Sequence, residues 1–313
     1  KKGRTVLRIQ SLAVAFAFGL LIPTLCSPAL AGDGEIPVLH GSWMKIAEHS
    51  PDVDPYNDWD APHNACDFTI FQAADDTWQL ISCIRSTTYP GSTRLFHRWQ
   101  TDDPLGGMWE PQGLFMTTDM SIHTVEGRLQ APHCFVEDDT YYFFYNNAGA
   151  FCMTSPDGLN WTHHTDYQGD YKFFSMGRDV MIFDDRTGVT GKWIAYYTDN
   201  GVEARTADSL EGPWSAEFQA ASAGNPESPF VLRRPNGDYF RWSQTSVYRS
   251  ADPTSFPGET ATVIGPKPGI SGGKYAPEII DIDGKQYMAG YGYGIWLGEL
   301  KWIPEDRPML AKY

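Results

Sequence analysis

Five polar side chains, each at the start of a short apolar run, are the candidates for chemistry in this sequence: Asp67, His133, Asp179, Glu227 and Glu278. Cleavage of a glycosidic bond needs one carboxylic acid that protonates the leaving oxygen and one carboxylate that activates water or attacks carbon. A third carboxylate helps to keep the acid protonated, because like charges that lie close together cannot all ionise cheaply. If the chain brings these acids to one cavity, it holds the side chains that such a hydrolysis requires.

The spacing of these residues indicates the elements that position them. Consecutive candidates lie 66, 46, 48 and 51 residues apart, and each is followed by a turn and a second, aromatic-rich run. A recurrence of about 50 residues is typical of β-propeller blades and not of helical solenoids. Five segments predict an all-β, five-bladed β-propeller built from four-stranded antiparallel sheets. Since the innermost strand of each blade lines the central channel, the five candidates are expected at one register, converging at the mouth of one funnel.

Local patterns support strands and hairpins after the N-terminal leader. Apolar and polar residues alternate in runs bounded by Asp-Gly and Asn-Gly turns, which are strong short-range hairpin signals. The string SPDGLNW at 155–161 is one such turn with a tryptophan behind it. We expect the propeller to span 65–313, and residues 32–64 to form an irregular leader segment that closes the propeller or covers its mouth.

Residues 1–31 have the features of a secretory signal peptide. A start with four Lys and Arg residues precedes an apolar run over 12–22, and the string ALA at 29–31 offers a small-residue cleavage site. No other segment has the run of about 18 apolar residues that a membrane span needs. A secreted or periplasmic protein without a membrane span is therefore expected.

The charge of the chain narrows the classes of partner. Removal of the predicted signal peptide takes away four positive charges and no acids, so the net charge changes from −15 to −19. Such an acidic body repels polyanions, which argues against nucleic acid, anionic membranes or uronate-rich polymers as main partners. A neutral oligo- or polysaccharide remains, and a monomer is expected.

Four cysteines remain after the predicted signal peptide. Cys66 and Cys83 face each other if their runs pair as a hairpin around 73–76, which makes them the candidate disulfide in an oxidising compartment, although four cysteines allow three pairings. Cys134 and Cys152 fall on the first and third strands of one blade, too far apart for a direct bond. Buried thiols are therefore expected at these two positions.

The order of three short motifs resembles a known group of enzymes. An Asp in blade one, Arg-Asp in blade three and Glu-x-Pro in blade four look like the five-bladed glycoside hydrolases of the arabinanase, levansucrase and invertase superfamily, especially family 43. The resemblance covers about residues 66–302 and lies in the ordered spacing of the motifs. It implies that Asp67 is the general base, Asp179 the carboxylate that tunes and orients the acid, and Glu227 the general acid.

Three further residues are predicted to bind substrate. Arg178 directly precedes Asp179, which suggests a positioned ion pair. His133 and Glu278 open the first strands of blades two and five, where each could hydrogen-bond a sugar hydroxyl. A histidine satisfied by backbone at the start of a strand is the alternative for His133, and a solvent-facing acid is the alternative for Glu278.

Departures from the family pattern shape the expected mechanism. Phe68 follows Asp67 where proline is usual, so blade one matches the family pattern least. The Trp-Met-Asn-Asp-Pro and Glu-Cys motifs of the related family 32 fructosidases are missing, which favours inversion over retention. No histidine occurs at 287–301, where family 43 enzymes often place one near a cation, and no HExxH or CxxC spacing is present. No cofactor is therefore expected, and a structural calcium is without support in the sequence.

Two alternatives stay open. One is a retaining, fructosidase-type enzyme with Asp67 as nucleophile, which the separation of the two carboxyl groups would distinguish from an inverting one. The other is a catalytically silent propeller that binds glycans, because a fold alone does not establish an activity.

Overall fold

The computed structural model describes residues 34–222, 226–243, 246–256, 262–263 and 275–305. Over these residues, 21 strands form five antiparallel sheets. No helix that is long and apolar enough to cross a membrane occurs in them. The predicted signal peptide at 1–31 lies outside the described residues.

Each sheet is one blade, and in blades one to four the strands follow one another outward from the axis. In blade two, two short strands, β9 and β10, share the outer position beside β8. The strands are β1 (Glu35–Ala47), β2 (Asn64–Gln72), β3 (Trp78–Arg85), β4 (Leu95–Thr101), β5 (Glu110–Met116), β6 (Gln130–Glu137), β7 (Thr140–Asn146), β8 (Ala150–Ser155), β9 (Thr162–His164), β10 (Lys172–Phe174), β11 (Arg178–Asp184), β12 (Trp193–Thr198), β13 (Val202–Ala207), β14 (Phe218–Ala221), β15 (Phe230–Arg233), β16 (Tyr239–Ser243), β17 (Ser246–Ser250), β18 (Thr262–Val263), β19 (Tyr275–Ile282), β20 (Lys285–Tyr291) and β21 (Ile295–Pro304).

The innermost strands form a closed ring. Strands β2, β6, β11, β15 and β19 contact one another in that order, and β19 returns to β2. Residues near the first end of each of these strands line one pocket, so the five strands begin around one mouth. The predicted all-β, five-bladed propeller is confirmed.

The N-terminal strand closes the ring from outside. β1 pairs antiparallel with β21 and supplies the outer strand of blade five, beyond β19, β20 and β21. The prediction of an irregular leader is therefore wrong over Glu35–Ala47, whereas residues 48–63 contain no strand. The register of β1 shifts between His40 and Met44, with Gly41 at a φ of 75°, and these irregularities interrupt the alternation that would have revealed a strand.

Five apolar clusters lie at the five contacts between neighbouring blades. The cluster between blades one and two joins Phe71 and Ile81 to Phe143, and the other four contacts are filled in the same way. Large aromatic side chains such as Trp99 and Trp242 are fully buried. Burial of about 150–250 Å² for each aromatic ring makes these contacts the main source of stability, and they fix the blades around the axis.

The structure does not contain the predicted Cys66–Cys83 disulfide. Cys66 and Cys83 are both free and buried, so the predicted bond is not formed. The register between β2 and β3 shifts between Ala65 and Phe68, so Cys66 lies in a bulge and not in the regular pairing that would place it opposite Cys83. Its Sγ–H instead donates to the Cys83 carbonyl at 3.3 Å. The other two cysteines of the described chain are buried free thiols, as predicted.

Candidate active site

A pocket lies on the propeller axis, where the first strands of all five blades begin. It encloses about 320 Å³, including the open solvent at its mouth. Its lining combines carboxyl groups with apolar side chains and proline rings: Asp67, Phe68, Ala131, Pro132, His133, Asp179, Val180, Met181, Ser228, Pro229, Phe230, Ala276, Pro277 and Glu278. Every blade therefore contributes to one concave site.

Irregular backbone at the start of the innermost strands shapes this pocket. The register shifts near the start of β2, β6, β11 and β19, as expected for β-bulges. Four non-glycine residues at these starts have positive φ values, a conformation that side chains rarely adopt. They are Ala131 (44°), Asp179 (62°), Ser228 (51°) and Ala276 (47°). Such strain is common at functional sites, where the surrounding fold maintains it.

The bulges place the five predicted residues at different depths, so the prediction of one shared register is wrong. Glu227 directly precedes the positive-φ residue of its blade, and Asp179 is that residue in blade three. His133 and Glu278 lie two residues beyond theirs. Since the strands run away from the mouth, the site has an upper layer with Asp67, Asp179 and Glu227, and a lower layer with His133 and Glu278.

Arg178 links two acids of the upper layer. Its Nε lies 3.4 Å from Asp179 Oδ2, and its Nη2 lies 3.2 Å from Glu227 Oε1. Asp179 is 6% exposed and also accepts a hydrogen bond from the Ser228 N–H at 3.2 Å. The side chains of Arg178 and Glu227 are 48% and 43% exposed, so their contact is screened by solvent and lies at the rim of the pocket.

The pKa values of Asp67 and Asp179 in the upper layer depend on burial and on the charges around them. Loss of solvent and then the nearby Asp67 charge raise the pKa of Asp179 to about 7, while Arg178 opposes this shift. Loss of solvent also raises the pKa of Asp67, against the attraction of Arg94, and the charge of Glu227 raises it further. The layer therefore holds a proton that separate carboxyl groups would release, which suits acid–base chemistry.

The lower layer is a buried pair with its own partners. The His133 Nε2–H donates to the Ile182 carbonyl at 3.0 Å, and its Nδ1 lies 3.6 Å from Glu278 Oε1. Glu278 Oε2 accepts from the Ile70 N–H at 3.0 Å. Burial raises the pKa of Glu278, and the contacts to His133 and Ile70 counteract that shift. The pair connects blades one, two, three and five across the floor of the pocket. Sugar binding by these two side chains stays a prediction.

Several residues near Asp67 were not among the predicted site residues. Arg94 and Arg85 both lower the pKa of Asp67. The Asp67 charge raises the pKa of Tyr291, although burial is the larger cause, and the Tyr291 ring lies 5.3 Å from that of Tyr275. Residues 86–94 connect the second and third strands of blade one, and such connections reach the mouth of a propeller. That topological rule was the one signal that could have identified Arg94.

Metal ligation has no ready site in the part of the chain that the structure describes. No three His, Cys, Asp or Glu side chains there come together in a way that could hold a metal ion.

The closed ring of blades and the axial carboxyl groups define the class of fold: a five-bladed β-propeller like those of glycoside hydrolase families 43 and 117. A thermostable family-43 glycoside hydrolase superposes with a TM-score of 0.56 and 13% identity, covering 80% of this chain and 92% of that one. Zg3597, a family 117 glycoside hydrolase of the marine bacterium Zobellia galactanivorans, gives 0.56 and 14%, covering 84% and 91%. The α-L-arabinofuranosidase CtGH43 of Clostridium thermocellum gives 0.55 and 15%, covering 73% and 82%.

The similarity is one of structure and not of sequence. No family model matches the chain, and no curated protein matches its sequence. At identities of 13–15%, the superpositions establish the fold, and the activity has to be inferred from the site.

Proposed function

We propose that the protein is a secreted glycoside hydrolase. Its proposed substrate is the glycosidic bond of a neutral arabinose- or xylose-type sugar unit. The observation that carries this proposal is the upper layer, where the charges of Asp67 and Glu227 raise the pKa of Asp179 and the charge of Glu227 raises the pKa of Asp67 at one pocket. Solved structures of similar fold include an exo-1,5-α-L-arabinanase and a β-xylosidase/α-arabinofuranosidase, which supports this choice of substrate. A pocket walled by carboxyl groups and apolar side chains favours an uncharged sugar.

In the proposed reaction, Asp67 is the general base. The charge of an ionised Asp67 raises the pKa of Asp179, so the two groups suit different protonation states. Arg94 and Arg85 favour the carboxylate form of Asp67. Asp67 therefore accepts a proton from water as the water attacks the anomeric carbon, and the bond from that carbon to the leaving oxygen breaks.

Glu227 is the proposed general acid. Its position at the rim suits a group that meets the leaving oxygen, which points away from the sugar in the pocket. In the free protein Arg178 Nη2 lies 3.2 Å from its carboxylate, and the same guanidinium contacts Asp179. A group that donates to the leaving oxygen must turn from Arg178 toward that oxygen, so we propose that a bound substrate separates Glu227 from Arg178. Asp179 then acts as a positioning residue, because it retains Arg178 while Glu227 moves to the leaving oxygen.

Inversion of the anomeric centre is proposed, as the motif departures from the fructosidases favour it. The proposed chemistry needs only water, the two carboxyl groups and Asp179, and no cofactor takes part in it. The proposed export of the protein would place the site where polysaccharides of extracellular origin occur.

A panel of aryl glycosides and plant or algal oligosaccharides tests the proposal. Mature protein is incubated with each compound beside Glu227→Gln and Asp67→Asn, and the first anomer released is followed by proton NMR. We expect turnover of an arabinoside or xyloside with inversion, and a loss of about 100-fold or more in both variants.

Folding of the variants is checked by thermal unfolding, so that a loss of turnover can be assigned to chemistry. No turnover of any compound by the wild-type protein would contradict the proposal and favour a glycan-binding propeller. Release of the retained anomer would overturn inversion alone.

A further inference from the structure

Arginine side chains border the mouth of the pocket on the side of blade one. Arg85 is the last residue of β3 and Arg94 directly precedes β4, so they stand at the two ends of one loop at the mouth. The backbone of Arg94 forms a parallel bridge with Arg128, which lies two residues before β6. Three arginines are thus carried by the adjoining edges of blades one and two, and two of them, Arg85 and Arg94, act on Asp67.

Two of these arginines act on the site itself. The Arg85 Nε–H donates to Asn64 Oδ1 at 2.6 Å, and Asn64 opens the strand that carries Asp67. Arg94 is partly buried, and its charge and that of Arg85 both favour the ionised form of Asp67. Their guanidinium groups are therefore within electrostatic reach of the carboxyl groups in the pocket.

None of the three has a carboxylate partner within 4 Å among the described residues. Most arginines elsewhere at the surface do: Arg186 contacts Glu137 and Asp184, and Arg234 contacts Glu35 at 2.8 Å. Arg128 has one weak contact, from its Nε to Gln130 Oε1 at 3.5 Å. In a chain with a net charge of −15, acids are abundant, so Arg85 and Arg128, which lack one at the mouth of a pocket, are available for an anionic ligand. Arg94 interacts with Asp67 and Cys83 and adds its positive charge to the same side of the mouth.

We propose that Arg85, Arg94 and Arg128 bind an anionic substituent of the substrate, a carboxylate or a sulfate ester, on the sugar unit next to the one held in the pocket. This inference rests on the proposed hydrolase function and adds a substrate class to it. The anion cannot enter the pocket, where Asp67 and Asp179 would repel it, so it lies at the rim. The overall negative charge argued against acidic polymers, but the local charge on this side of the mouth is positive.

Matched oligosaccharides test the inference. Arabino- or xylo-oligosaccharides with a uronic acid side group, with a sulfate ester and without either are compared on the wild-type protein, Arg94→Gln and the double variant Arg85→Gln/Arg94→Gln. The quantity read is the ratio of kcat/KM for the acidic and neutral compounds, because loss of Arg94 also raises the pKa of Asp67. We expect a preference of about 10-fold for one acidic compound in the wild-type protein, which falls in both variants and at high salt.

Lys285→Gln is the matched control, since it removes one positive charge from an exposed turn at the opposite end of the propeller. It should keep the wild-type ratio. Equal kcat/KM for acidic and neutral compounds would overturn the inference and leave the hydrolase proposal intact. The uronate and sulfate arms identify which anion is recognised.

A binding measurement keeps the inference testable if no compound is hydrolysed. Isothermal titration with the same oligosaccharides should then show tighter binding of an acidic compound, reduced about 10-fold in Arg94→Gln and unchanged in Lys285→Gln. Equal binding of acidic and neutral compounds would overturn the inference, whereas absence of turnover alone would overturn only the hydrolase proposal.

Discussion

The upper and lower layers of the axial pocket hold similar side chains in different electrostatic circumstances. In the lower layer, Glu278 accepts from the Ile70 N–H of blade one and lies beside His133 of blade two. His133 in turn donates to the Ile182 carbonyl of blade three. In the upper layer, Asp179 accepts from the Ser228 N–H and contacts the half-exposed Arg178, but the charges of Asp67 and Glu227 act against its ionised form. The fold satisfies the lower acid and leaves the upper acids in mutual repulsion.

This difference separates structural acids from chemical ones. A buried carboxylate that accepts from a backbone N–H and lies beside an imidazole stabilises the blades that it joins, so its removal lowers the stability of the fold. Repulsion between carboxyl groups does not stabilise the fold, so we attribute the arrangement of the upper layer to the proton transfer proposed above. We therefore expect the lower layer to stabilise the fold and the upper layer to take part in the proposed reaction.

The largest expected effect is on catalysis by the upper layer. Asp179→Ala removes the acceptor of the Ser228 N–H and a partner of Arg178, so we expect kcat to fall by about 1,000-fold on whichever glycoside the wild-type protein hydrolyses. Asp179→Asn keeps an acceptor oxygen and should recover part of the rate. Steady-state kinetics measures both. Asp208→Asn, at an exposed carboxylate, is the control and should keep the wild-type kcat. Equal rates for Asp179→Ala and the wild-type protein would remove Asp179 from the mechanism.

The next largest effect is on stability, through the lower layer. Glu278→Ala leaves His133 and the Ile70 N–H without their partner, so the free energy of unfolding should fall by about 3 kcal/mol. Urea unfolding measures it, and kcat should change little well below the unfolding midpoint. Glu278→Gln keeps an acceptor and should lose less. A variant as stable as the wild-type protein but with greatly weakened KM would instead support the sequence-based prediction that Glu278 binds sugar.

The fold could be predicted from the sequence because its signals are local and repeated. Hairpin turns and alternating strands recur at a regular period, and each blade needs only its neighbours to bury its apolar faces. The order of Asp67, Asp179 and Glu227 along three different blades was enough to expect them at one mouth. Residues at similar positions in successive blades lie around one axis, so a regular spacing along the chain predicts that they are close in space.

The two layers could not be predicted, because they depend on bulges. No residue type marks the positive φ of Ala131 or Ser228, since alanine and serine rarely adopt it, and an aspartate such as Asp179 adopts it more often but in a minority of cases. A shift of one residue in register changes the direction of a side chain, so a bulge decides whether an acid lies at the rim or on the floor. Register shifts also explain why strand β1 was not predicted and why Cys66 is not paired with Cys83 as expected.

A smaller effect is the pH dependence of stability that Asp179 causes. Its pKa is raised from 3.8 to about 7, so between these values the native protein holds a proton that the unfolded chain has released. The free energy of unfolding should therefore fall as the pH rises through this window, by up to about 1.4 kcal/mol per pH unit from this group. Urea unfolding from pH 4.5 to 7.5 measures the slope, and Asp179→Asn should make it less steep. An unchanged slope in the variant would show that Asp179 titrates at its ordinary pKa.

The smallest expected effect concerns Arg178, the solvent-exposed partner of Asp179. Arg178 lowers the pKa of Asp179, and its side chain is 48% exposed, so its influence is partly screened. Arg178→Gln should therefore move the upper end of the pH-dependent slope to higher pH by less than about one unit. The same urea series measures the shift, and Arg186→Gln, far from the pocket, should leave the upper end in place. A shift to lower pH would mean that Arg178 does not stabilise the ionised form of Asp179, and the upper layer would then lack the charge that links its two acids.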